Sequence, residues 1–140
     1  MVRLSVCIEM YWPELPFAER VARVAQAGLP AYEFWNYSTK DLPAMEAAAR
    51  TGGLSLAGFV CEPGFALTGP TPLDVHVAGV ARAAEVGWRL GTSTFIVTAG
   101  NIVPGESYEM TRRRVLRKLK AMAAVAKQEG VTLCLEPLNV

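Results

Sequence analysis

The sequence has little histidine and almost no net charge. Among its 140 residues there is one histidine, His76, and 14 basic against 13 acidic side chains leave a net charge of +1. That near-balance gives no electrostatic footprint for a nucleic acid or an anionic membrane. Cysteine is sparse: Cys7, Cys61 and Cys134 are odd in number and widely spaced, so they are not a disulfide framework, and no paired zinc spacing accompanies them. No apolar run is long enough to cross a bilayer. Glu9 interrupts the first apolar stretch and no small-residue cleavage site follows, so no secretory leader is expected. The phosphate-loop, dinucleotide and nucleophile-elbow glycine patterns are all missing. What remains is a chain 51% hydrophobic and 19% charged, able to bury a core, with a cytoplasmic globular domain over residues 1–140 as the expectation.

Apolar residues follow two alternating periods. Leu4–Met10, Ala31–Trp35, Leu54–Cys61, Thr94–Thr98 and Val131–Glu136 read as strands. Between them Phe17–Ala27, a segment opening at Asp41-Leu42-Pro43, one opening at Thr71-Pro72-Leu73-Asp74, and Ser107–Glu129 read as helices. Asp41 and Thr71 are the expected N-caps, and Gly28, Gly52-Gly53, Gly91 and Gly130 are the expected stops. The inward stripes are Phe17, Val21, Val24 and Ala25; Leu42, Met45, Ala48 and Ala49; Leu73, Val77, Val80, Ala81 and Ala84; and Val115, Leu119, Met122 and Ala126. The basic run Arg112-Arg113-Arg114 with Arg117, Lys118 and Lys120 is the expected solvated face of the last helix, and His76 an expected surface residue. Cys7 and Cys134 are expected as small buried thiols inside strands, and Cys61 as a packing residue. The pattern β1-α1-β2-α2-β3-α3-β4-α4-β5 predicts an α/β fold with a parallel sheet built from right-handed βαβ units. The Gly- and Pro-rich connection 61–72 is long, and it reads as a functional loop or a plain connector.

In parallel α/β folds ligands bind at the C-terminal ends of the strands. Polar and aromatic residues gather there: Glu9 with Trp12, Glu33 with Trp35 and Asn36, Glu62, Asn101, and Glu136 with Asn139. Strand parity places Leu133 and Leu135 toward a helix layer, and Cys134 and Glu136 on the opposite face. A carboxylate facing a barrel axis is costly unless it is paired or bound to a metal. A structural ion pair and a metal or catalytic role both stay open for Glu136, as for Glu9 and Glu33.

Glu33–Gly64 (EFWNYSTKDLPAMEAAARTGGLSLAGFVCEPG) resembles the second and third βα units of the hydroxypyruvate isomerase family, with its EFW, KDL and GF-x-x-EP segments. Leu135–Asn139 (LEPLN) resembles that family's strand-five motif. The wider group is the xylose-isomerase-like TIM barrels. The resemblance implies a partial (β/α)8 barrel and metal-assisted isomerisation of hydroxypyruvate to tartronate semialdehyde through an enediolate. It implies Glu136 as catalytic carboxylate and as ligand of a divalent cation, Mg2+ or Mn2+. Glu33, Trp35, Glu62, Asn101 and Asn139 are the expected contacts to a small hydroxy or keto acid or a sugar. A full barrel needs about 250 residues, so the chain is expected to stop after strand five, with the other metal ligands elsewhere and no activity as an isolated monomer. Its open sheet edges make a homodimer a further expectation. A ketose 3-epimerase would use the same glutamate, and a non-catalytic half-barrel binding module is a further alternative. An apurinic-site endonuclease or a xylose isomerase proper fits less well, because strand-end histidines are missing.

Overall fold

The computed structural model describes residues 3–64 and 66–137. Five strands, β1 (Ser5–Cys7), β2 (Ala31–Phe34), β3 (Ser55–Val60), β4 (Thr94–Thr98) and β5 (Thr132–Glu136), form one parallel sheet in the order of the sequence. Helices α1 (Phe17–Gln26), α2 (Leu42–Gly52), α3 (Leu73–Leu90) and α4 (Tyr108–Glu129) make the crossovers. Right-handed crossovers between sequential neighbours put every helix on one face of the sheet. The result is the curved wall of a partial TIM barrel.

The face under the helices is lined by aromatics. Phe34 and Phe59 stack with centroids 5.4 Å apart, and Phe59 meets Phe95 at 4.9 Å. Val21 and Val24 of α1, Met45 of α2, Val80 of α3 and Met122 of α4 close over them, all buried. Those five positions belong to the stripes read from the helical period. The caps are also local chemistry: Asp41 accepts from Ala44 N at 3.1 Å, and Ser107 accepts from Met110 N at 3.3 Å.

Several expectations need correction. The first strand is short, because after Cys7 the chain tightens into a 3-10 turn over Ile8–Met10 that buries Ile8 beneath the helices. Thr71 does not cap α3; Pro72 holds the N-cap position without a side-chain bond, and Asp74 accepts from Val75 N instead. His76 is 1% exposed, not a surface residue. The buried stripe of α3 runs through His76, Gly79, Val80, Ala83, Ala84 and Gly87, and the 61–72 connection folds over its first turns. Cys134 is exposed, since it lies on the sheet face that carries none of the described helices.

The last helix departs from its expected solvated face as well. Lys118 is 1% exposed and donates to Ala66 O at 3.0 Å and Gly69 O at 2.8 Å. Arg114 donates to Thr68 O and, at 2.6 Å, to Glu106. The Arg114 guanidinium holds the Glu106 carboxyl below its usual range. Thr68 N in turn donates to Ala99 O at 3.1 Å. Two cations thus bind backbone carbonyls of this connection. Residues 66–69 of the 61–72 connection are thereby strapped to α4.

Gly79 is the seat on which the strap begins. A Cβ there would lie 2.0 Å from Glu62 O. Gly79→Ala is therefore expected to lower stability by about 1–3 kcal/mol through overpacking. Lys118→Met keeps the apolar stem but removes two hydrogen bonds to carbonyls, and a loss of about 2 kcal/mol is expected. Urea unfolding midpoints of the two variants check both values.

Candidate active site

The period-two alternation of the strands decides which side chains face away from the helices. Register pairs Thr98 with Glu136, Ile96 with Cys134, and Cys7 with Glu33. All six belong to the face opposite the Phe34–Phe59–Phe95 layer. At the C-terminal end of that face a cavity of about 450 Å³ is lined by Cys7, Met10, Glu33, Trp35, Ile96, Cys134, Glu136 and Pro137, among others. The structure thus brings together three predicted residues, Glu33, Trp35 and Glu136. Glu136 is exposed and Glu33 half-buried. Apart from the carboxylates of Glu33 and Glu136, its lining residues are apolar.

The other strand-end acids are engaged elsewhere. Glu9 Oε1 accepts from Trp35 N at 2.9 Å and pairs with Lys40 Nζ at 3.0 Å. Lys40 Nζ also lies 4.2 Å from the Phe17 ring centroid. Glu62 Oε1 accepts from Ser38 N at 3.0 Å. Two acids therefore hold the backbone of the β2–α2 connection, Glu9 at Trp35 N and Glu62 at Ser38 N. Neither Glu9 nor Glu62 lines the cavity of Glu136. Glu62 instead lines a separate cleft of about 430 Å³ with Asn36, Ser38 and Arg82. Asn101 is exposed on the β4–α4 connection and is not a lining residue of the Glu136 cavity. Asn139 lies outside the described residues.

The thiols separate in the same way. Cys61 is 2% exposed, and burial pushes its thiol up to about 12, so it is a packing group. Cys7, half-buried on the open face, is also raised, chiefly by burial. Sequence reasoning missed Lys40, whose pairing with Glu9 steadies the loop that presents Trp35. The signal was the spacing of Glu9 and Trp35 at successive strand ends, but only the register shows that one side chain reaches the other's backbone.

Among the described residues, no three His, Cys, Asp or Glu side chains come close enough to hold a metal ion. A hard divalent cation takes about six oxygen ligands. The described residues alone therefore do not fit a resident divalent cation.

Residues 21–140 match the profile of the xylose isomerase-like TIM barrel family. A putative hydroxypyruvate isomerase of Streptomyces coelicolor is 28% identical over 98% of this chain and 54% of its own length. A 2-oxo-tetronate isomerase of Cupriavidus necator is 28% identical over 99% of this chain and 56% of its own. The chain spans about half the length of the curated relatives it matches. Among solved structures, an AP endonuclease family 2 protein from Brucella melitensis superposes with a TM-score of 0.83 at 21% identity. It covers 99% of this chain and 56% of that one. At that identity the likeness shows the fold alone. Fold and family profile agree: the chain belongs to the xylose isomerase-like TIM barrel family.

Proposed function

We propose that this chain supplies the first five strands of an isomerase that shifts a proton between neighbouring carbons of a small hydroxy keto acid of the hydroxypyruvate type. The observation that carries the reading is the shared cavity of Glu33, Trp35 and Glu136 at the C-terminal end of the sheet. Two curated relatives bear isomerase names. An ionised carboxylate within reach of a carbon next to a carbonyl can remove its proton and leave an enediolate. Return of the proton to the neighbouring carbon completes an aldose–ketose exchange. Glu136 is the group assigned to this transfer, because parity aims it into the cavity from the edge strand. Glu33 and Trp35 line the side contributed by β2, where Glu9 fixes the Trp35 backbone.

Glu136 is proposed as one ligand of a Mg2+ or Mn2+ site whose remaining ligands come from outside the described residues. The proposed enzyme is cytoplasmic. No helix of the described residues is long and apolar enough to cross a membrane.

The 140-residue chain alone is expected to turn over neither hydroxypyruvate nor a ketose, and Mn2+ is expected to leave its melting temperature unchanged. A site saturated a hundredfold above its Kd would add about 2.7 kcal/mol and show at once. Fused to the C-terminal half of the Streptomyces coelicolor relative, the chain should isomerise hydroxypyruvate. Glu136→Gln should then lower kcat by about 10²–10⁴-fold, the usual worth of a positioned acid–base group. A folded fusion that epimerises ketoses instead would move the reading to a 3-epimerase. Unchanged kcat in Glu136→Gln would remove the carboxylate from the mechanism.

A further inference from the structure

We propose that Arg20 is a positioning residue of the candidate active site: its guanidinium brackets the β1–α1 connection and so sets Met10 and Trp35 on the cavity wall. The connection runs over residues 8–16, and half-buried Arg20 reaches back into it from the first turn of α1. Nε donates to Leu15 O at 3.0 Å, Nη2 to Pro13 O at 2.8 Å and Nη1 to Glu9 O at 3.3 Å. Three carbonyls of one irregular loop thus meet a single rigid, planar fork of donors.

The bracket encloses a strained residue. Trp12 holds φ 52°, in the left-handed region that a bulky side chain keeps only where its surroundings fix it. Its carbonyl accepts from Leu15 N at 2.9 Å, and Arg20 holds carbonyls before and after it, at Glu9 and Pro13. Loss of the fork lets the connection relax.

Glu9 carries the constraint onward. Its backbone carbonyl is bound by Arg20, while its Oε1 accepts from Trp35 N at 2.9 Å and pairs with Lys40 Nζ at 3.0 Å. Met10 is the next residue in the chain, and Met10 and Trp35 both line the Glu136 cavity. Arg20 is not a lining residue, so it acts through Glu9 and Met10. Arg20 and Lys40 also lie 4.8 and 4.2 Å from the ring centroid of Phe17, so one ring of α1 anchors both connections. A lysine at position 20 would keep the positive charge but gather its donors on one nitrogen. Fork geometry and mere charge therefore predict opposite results for Arg20→Lys.

The consequence for turnover rests on the isomerase reading, whereas the bracket does not. Met10 and Trp35 carry no proton-transfer group, so displacing them weakens ground-state and transition-state binding alike, which raises KM and leaves kcat.

Amide exchange of the 140-residue chain tests the bracket at Trp35 N–H, bonded to Glu9, and Leu15 N–H, bonded to Trp12 O, with the β4 amides as reference. Arg20→Met and Arg20→Lys are each expected to speed exchange at both sites by about tenfold, with β4 unchanged. In the fusion with the C-terminal half of the Streptomyces coelicolor relative, both variants should raise KM for hydroxypyruvate about tenfold and hold kcat within about twofold. A folded Arg20→Met protein with wild-type exchange at Trp35 overturns the proposal. So does an Arg20→Lys protein that behaves as wild type, because charge alone would then suffice. Faster exchange throughout β4, or loss of the fold in both variants, also overturns it: Arg20 would then hold the whole domain and not one connection. An active fusion whose KM stays fixed in both variants overturns the link to the cavity. A wild-type fusion without activity defeats the isomerase reading alone, and exchange at Trp35 then decides the bracket.

Discussion

The stacked ring layer of Phe34, Phe59 and Phe95 is the constraint from which the other features follow. Its centroid spacings of 5.4 and 4.9 Å tie three neighbouring strands together on one face. Once those rings lie under the helices, the two-residue period leaves no choice for the alternate positions. Glu33, Ile96, Cys134 and Glu136 must face the other way. The chemistry-bearing face is thus set by the packing of the apolar face. A one-residue slip of β5 would turn Glu136 toward α4 and Leu135 to the opposite face of the sheet.

The second level of order is backbone satisfaction at the strand ends. Glu9 and Glu62 use a carboxylate oxygen each to hold Trp35 N and Ser38 N, while Lys118 and Arg114 bind carbonyls of the 61–72 strap. Long polar connections at the top of a parallel sheet carry many amides that no strand pairs. Side chains from neighbouring elements fill that need here, and they leave two carboxylates, Glu33 and Glu136, at the cavity. The division between structural and available acids is therefore a consequence of where unpaired amides fall.

Much of this was legible in the residues themselves. The α/β order, the buried positions Val21, Val24, Met45, Val80 and Met122, the Asp41 and Ser107 ends of helices and the inward parity of Glu136 all depend on short-range periodicity. What escaped depends on contacts remote in sequence. Lys118 reads as surface because its neighbours are basic, yet it meets carbonyls 49 and 52 residues away. His76 reads as surface because the strap that covers it is irregular. The hold of Glu62 on Ser38 N is likewise visible only in the fold, 24 residues away in sequence. Leu135 illustrates the converse: its parity is outward as expected, but it stays 51% exposed because no described helix follows β5 to cover it.

The central claim is that one face of the sheet is packed and the face bearing Glu136 is open. Native-state alkylation of the three thiols with mass-spectrometric readout tests it directly, since each cysteine occupies a different environment. The account predicts rapid labelling of exposed Cys134, slower labelling of half-buried Cys7, and protection of Cys61 until the chain is unfolded. Protection of Cys134 together with labelling of Cys61 would contradict it, because the faces of the sheet would then be reversed.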